Sequence, residues 1–182
     1  MAAAVRLFAA KGFDATTVQE VVDAAEVTKG ALYHYFGSKD DLLYEIYRSL
    51  IGRQMAELDR IVALDLDPAT AVRSIIVSLV ETTASSVDEA AVFMREMHRL
   101  DADQMASFRA ERRRYHETFR AVVEQAQASG RFSTVAPAET AVLIALGVVN
   151  QLPIWYRPDG PKSPTQLGGE IADFMLAALC DR

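Results

Sequence analysis

Between Thr16 and Lys39 the chain reads TTVQEVVDAAEVTKGALYHYFGSK, two short helical segments joined by a tight turn. Thr17 supplies an N-cap with Glu20 three residues on, the spacing of a capping box, and Thr28 supplies a second cap. Leu32 and Phe36 lie four apart, so they are expected to face inward against Val18, Val21, Val22 and Val27. The same rotation places Lys29, Tyr33 and His34 on the outer side, with Tyr35 on the flank. Two capped helices with an apolar inner face and a polar aromatic outer face have the layout of a DNA-reading helix-turn-helix.

The outer residue types suit that task. Phenol, imidazole and ammonium groups donate to phosphate oxygens or to base edges. The helix N-termini at Thr17 and Thr28 offer backbone N–H groups and a hydroxyl to a phosphate. Lys39, at the start of the next helix, is expected to add a phosphate contact, and Gly30 lets a duplex approach the backbone. Bulk charge argues the other way. The formal net charge is −6, and residues 1–50 hold five Lys/Arg against seven Asp/Glu. From Val27 to Lys39, however, there are two lysines, one histidine and no acid. A local patch of that kind neutralises phosphates while the rest of the surface stays acidic.

Caps and breakers divide the rest of the chain into helices. A first helix ends at Lys11-Gly12, and Ser38 opens a long fourth helix with Asp40 and Asp41 in its first turn, where carboxylates suit the helix dipole. Asp67-Pro68 opens a fifth, Ser86 to Leu100 reads as a sixth, and Asp103 to about Ser129 as a seventh closed by Gly130. Pro137 is expected in the first turn of an eighth, which runs on through AETAVLIALGVVNQLPIW and is apolar nearly all round. After the break at Arg157–Pro161, Ser163-Pro164 opens a ninth. The predicted fold is all-α: a three-helix helix-turn-helix domain over residues 1–37, then a six-helix bundle over 38–182.

The pattern LF..KGF.ATTV..V...A.V.KGALYHYF.SKDDL over residues 7–42 resembles the DNA-binding domain of the TetR family of one-component transcriptional regulators. That resemblance implies an Ω-shaped homodimer on double-stranded operator DNA, with helices one to three binding DNA and four to nine forming a ligand pocket and dimer interface. It implies DNA contacts at Thr17, Thr28, Lys29, Gly30, Ala31, Tyr33, His34, Tyr35 and Lys39. Glu26 departs from the family pattern, because the turn there usually holds glycine; a residue with a side chain at positive φ costs about 1 kcal/mol, so the turn is either mildly strained or slightly different. The chain also opens inside the first helix of the pattern without the short basic arm that often precedes it, so contacts from such an arm are not expected.

A second run, VVNQLPIWYRPDGPKSPTQLG over residues 148–168, resembles the helix-eight to helix-nine corner of a TetR branch responsive to acyl-CoA thioesters of fatty-acid and steroid breakdown. It implies a small apolar or acyl-CoA-type effector that relieves repression. Candidate effector residues are Met94, Met97, His98, Phe108, Arg112, Tyr115, Phe119, Leu146, Asn150 and Trp155, aromatic and sulfur-bearing walls with a few polar anchors. Arg112 belongs to a basic run, Arg109 to Arg114, that either is a solvated face or receives coenzyme A phosphates. Candidate dimer residues are Ile144, Val148, Ile171, Phe174, Met175 and Ala178.

Other functional classes find little in the residues. There is no Gly-rich phosphate loop, no Cys/His metal spacing and no nucleophile elbow, so no catalytic residue, metal or cofactor is expected. The lone Cys180 excludes an internal disulfide and fits a reducing cytoplasm. No apolar run is expected to approach the ~20 residues of a membrane span. The alternative to DNA reading is a helical module whose Tyr/His face binds a protein.

Overall fold

Capping chemistry sets where most helices begin. A computed structural model describes residues 1–180, and every regular element in that range is helical. The helices are α1 (Ala2–Lys11), α2 (Val18–Ala24), α3 (Lys29–Tyr35), α4 (Lys39–Val62), α5 (Pro68–Ala84), α6 (Val87–Glu96), α7 (Ala102–Ala128), α8 (Ala138–Asn150), α9 (Leu152–Trp155) and α10 (Pro164–Leu179). Thr17 and Glu20 close a full capping box on α2, and the Thr28, Asp67 and Ser163 side chains each accept a backbone N–H of the helix they open. Gly12 ends α1 at φ 88, a conformation that favours glycine.

Two compact units emerge. One comprises Met1–Leu50 with Ser86–Phe108, the other Ile51–Ser85 with Arg109–Arg182. These packing units do not coincide with a cut after Gly37, because Ser86–Phe108 packs with the first fifty residues. In the first unit Phe8, Phe13, Val22, Leu32, Leu43 and Val92 share a core in which Leu7, Val18 and Phe36 are partly buried. Tyr47, Phe93 and Phe108 stack beside one another in the same unit, with ring centroids 4.1–5.0 Å apart.

In the second unit α5 buries Val72, Ile75, Ile76, Leu79 and Val80, the spacing of a one-sided apolar stripe. Helix α10 packs on α5 so closely that a Cβ at Gly168 would lie 2.9 Å from the Cα of Val77. Arg73 pairs with Asp173 and Thr165 donates to Glu81 across the same contact.

Several boundaries differ from the expected ones. The sixth helix ends at Glu96 and tightens into a 3₁₀ turn over Met97–Arg99, and Pro137 stands at the N-cap of α8, one position before its first turn. The expected eighth helix breaks at Gln151. Residues 138–155 are apolar enough over 18 residues to cross a membrane by length and composition alone, contrary to the expectation that no run comes near that length. The break leaves α8 with 13 residues, about 20 Å at 1.5 Å per residue against a hydrocarbon core of about 30 Å. It is apolar all round for another reason: Ala138, Ala141, Val142, Ala145 and Val149 are buried, while the larger Leu143, Ile144 and Val148 point out.

Candidate nucleic-acid interface

The α2–α3 pair is held by local chemistry at both ends. At its start the Thr17 N–H and hydroxyl both donate to Glu20 Oε2, at 2.8 and 3.0 Å, and the Thr17 hydroxyl accepts from the Glu20 N–H. Lys11 donates to the other carboxylate oxygen. That ammonium, followed by the Thr17 donors, lowers the Glu20 carboxyl to about 2 from its usual 4.5. Between the helices Val27 N–H donates to Val22 O and Glu26 N–H to Asp23 O, the bond pair of a Schellman motif. The left-handed position of that motif is Glu26, at φ 54. Of the two alternatives, the turn keeps its left-handed residue and places a glutamate in it.

Helix α3 divides into two faces. Leu32 is buried and Phe36 packs against the core, as their spacing predicts. Val27 is the correction: it is 46% exposed, because the left-handed turn at Glu26 carries it off the inner face. Thr28, Lys29, Gly30, Ala31, Tyr33, His34 and Tyr35 form one continuous exposed surface, with Tyr35 at 77% and its ring edge-on to His34 at 5.1 Å. The Thr28 hydroxyl accepts from Ala31 N–H, leaving the Lys29 and Gly30 N–H groups at a helix end that has no intrahelical carbonyl for them. This surface can donate to phosphates from its helix end and to bases from its aromatic side.

Two expected contacts are placed differently. Thr17 is exposed, but its N–H and hydroxyl are bonded to Glu20, whose carboxylate already occupies the positive end of α2. Lys39 turns into the unit. Its Nζ donates to Phe13 O at 2.8 Å and Thr16 O at 2.9 Å and lies 4.2 Å from the centroid of the Phe13 ring. Both residues hold the reader's own frame.

Three residues to which sequence reasoning gave no role, Thr16 among them although it stands in the pattern, complete the frame. Thr16 is fully buried, its hydroxyl donating to Gly12 O at 2.8 Å. Arg95 donates to Phe8 O at 3.0 Å in the last turn of α1, where a cation opposes the helix dipole favourably. Arg99 pairs with Asp14 and Glu96 and lies 4.7 Å from the Phe13 centroid. Arg95 sits 87 residues from Phe8 and Arg99 sits 85 from Asp14, separations that no local periodicity reveals.

The expected effector residues are divided between the two units, Met94, Met97, His98 and Phe108 in the first and the others in the second. Phe108 packs with Tyr47 and Phe93, whereas Tyr115 and Phe119 are buried in the second unit, where burial pushes the Tyr115 phenol up. Met94 and His98 are exposed, and Met97 and Leu146 half-buried. Arg112 and Asn150 do meet, Nη1 to Oδ1 at 3.4 Å. Trp155 lines a cleft of about 250 Å³ with Tyr156, Arg157, Pro161, Lys162 and Leu167. A larger one, about 490 Å³, opens between Ile61, Asp65, Asp67, Val122, Gln125 and Arg131 and contains none of the expected residues. Of the expected dimer residues, Ile144, Val148, Phe174 and Ala178 are exposed and Ile171 is half-buried. Met175 is buried within its own chain, on the inner side of α10.

The family model described as "Bacterial regulatory proteins, tetR family" matches residues 1–46, and that described as "Tetracyclin repressor-like, C-terminal domain" matches residues 65–179. The HTH-type transcriptional repressor KstR2 of Rhodococcus jostii (strain RHA1) is 29% identical over 177 residues, covering 97% of this chain and 87% of that protein. The solved structure of the ketosteroid transcriptional regulator KstR2 of Mycobacterium tuberculosis is similar with a TM-score of 0.87, at 22% identity over 100% of this chain and 93% of that one. AibR, solved in complex with isovaleryl coenzyme A and operator DNA, is similar with a TM-score of 0.77, at 24% identity over 98% and 94%. Regulators of this family bind operator DNA and small-molecule effectors, form dimers and are not enzymes. The interaction module without DNA binding is thereby set aside. With one family model matched to its helix-turn-helix and another to most of the remaining residues, the chain belongs to the TetR family of DNA-binding transcriptional regulators.

Proposed function

We propose that this regulator is a cytoplasmic homodimeric repressor that leaves its operator when an acyl-CoA-type thioester binds residues 38–182, with residues 1–37 as the reader. The observation that carries the DNA half is the exposed surface from Thr28 to Tyr35, set against the buried Leu32 on the same helix. Each reader enters a major groove, and dimer symmetry sets the two about one duplex turn apart. The dimer reading is supported by Leu143, Ile144, Val148 and Phe174, large apolar side chains left outside on α8 and α10.

The effector reading is supported by the similarity to AibR, whose structure holds isovaleryl coenzyme A, and by the repressor KstR2. Arg109 and Arg113 stand exposed on α7 beside the Arg112–Asn150 contact, where they suit the phosphates of a coenzyme A group. A thioester that prefers one shape of the body shifts the equilibrium only by its differential affinity for the two shapes. Helix α4 is continuous from Lys39 to Val62 and conveys such a shift to the reader.

Native mass spectrometry of the purified protein against acyl-CoA and sterol-CoA thioesters tests this reading. One thioester retained per protomer, which also frees a bound duplex, is the expected result. Binding of none, or binding without release of DNA, overturns it.

A further inference from the structure

The six residues Gly12 to Thr17 join α1 to α2 and therefore set how the α2–α3 pair is presented. They have little regular structure of their own. Thr16 ties the segment to itself through Gly12 O, and Thr16 N–H donates to Phe13 O at 3.2 Å. Thr17 is bonded to Glu20 and the Phe13 ring packs on Phe8, 5.0 Å between centroids, and two further ties come from distant parts of the same unit. From the start of α4, Lys39 bonds the Phe13 and Thr16 carbonyls and covers the Phe13 ring. From the 3₁₀ turn after α6, Arg99 lies over the same ring and pairs with Asp14. Phe13 is 2% exposed, so its ring is a buried anchor contacted by two cations. Arg99 is itself oriented by Glu96, Nε to Oε2 at 3.0 Å, one turn back on the chain.

We propose that Arg99 is a positioning residue for DNA binding, holding the α1–α2 loop through Phe13 and Asp14 so that α3 is presented in one orientation. It acts through the loop and touches no nucleotide. Without it Asp14 loses its counter-charge and Phe13 keeps one cation, so α2 and α3 sample orientations that must be ordered when DNA binds. The segment that carries Arg99 leaves the second unit after Ser85 and returns to it at Arg109. Its stance is thus covalently linked to the part of the chain assigned to the effector.

The test uses the full-length protein and a DNA duplex selected by the wild-type protein from a random-sequence pool. For Arg99→Gln the dissociation constant is expected to rise about tenfold, at a temperature where variant and wild type are both folded and fully active by stoichiometric titration. The slope of log K against log salt is expected to stay unchanged, because no phosphate contact is lost. Asp14→Asn is expected to weaken binding in the same way, and the double variant to be no weaker than Arg99→Gln alone. Arg99→Lys, which keeps a cation over the ring, is expected to recover part of the loss and serves if Arg99→Gln does not fold. Wild-type affinity in Arg99→Gln, or in Arg99→Lys and Asp14→Asn if Arg99→Gln is unfolded, overturns the proposal. So does a fall of about one in the salt slope, which would make Arg99 a phosphate contact. Failure of the wild-type protein to select any duplex would instead count against the DNA-reading assignment.

Discussion

The Nζ of Lys39 lies 4.2 Å from the centroid of the Phe13 ring while donating to the carbonyl of the same residue at 2.8 Å. A lysine that opens α4 thereby fastens the loop before α2, twenty-six residues earlier in the chain. Lys39→Ala removes two charge-assisted hydrogen bonds and a cation over an aromatic face. It should cost about 2 kcal/mol of unfolding free energy. Chemical denaturation measures this, and a loss below about 0.5 kcal/mol would assign Lys39 to the solvent or to DNA.

The Glu20 carboxyl gives a pH dependence with a definite sign. Its folded-state value, about 2, lies below its usual 4.5, so it stabilises the fold fully above the unfolded value and loses that contribution as pH falls from about 4.5 towards 2. The stability difference between wild type and Glu20→Gln should therefore be present at pH 6 and close by pH 2. A difference independent of pH would show that the Lys11 and Thr17 contacts do not hold the charged form.

Glu26 sits at φ 54 in the turn between α2 and α3. Glu26→Gly relieves about 1–2 kcal/mol of left-handed strain, partly offset by the greater unfolded-chain freedom of glycine. A net gain of about 0.5–1 kcal/mol is expected, read as a higher melting temperature. An unchanged or lower melting temperature would mean that the glutamate side chain compensates for its own backbone.

The caps and faces of the reader are legible in the sequence because they depend on neighbours within four residues. Thr17 with Glu20, Thr28 with Ala31, and Leu32 with Phe36 are of this kind, and Glu26 betrays itself by standing where a turn calls for glycine. What is not legible depends on long separations. Lys39 looks like a free cation until Phe13 and Thr16 are folded against it, and Arg95 and Arg99 have no local pattern at all. Val27 fits the apolar stripe by count but lies beyond the left-handed residue, where the helical phase no longer applies. The aromatic and methionine residues of the body share helical spacing whether they line a pocket or fill a core. Spacing therefore groups Phe108 with Phe119, although the two lie in separate units.

Helix α10 offers a test of the dimer. Phe174 is 73% exposed on a helix whose other side packs against α5. Phe174→Glu should convert the dimer to a monomer with unchanged helical content, because most of the side chain lies outside its own chain's core. Sedimentation showing an intact dimer would place the interface elsewhere. Gly168→Ala is the contrasting variant: its Cβ would meet the Val77 backbone, costing about 2 kcal/mol through the α5–α10 contact itself.

DNA reading by the outer face of α3 is tested most directly at Tyr33, half-exposed on that face. Fluorescence anisotropy of a duplex selected by the wild-type protein should show tight binding that weakens steeply with salt. Tyr33→Ala should lose that binding while circular dichroism and sedimentation remain those of the wild type. Wild-type affinity in Tyr33→Ala would contradict the assignment of this face to DNA.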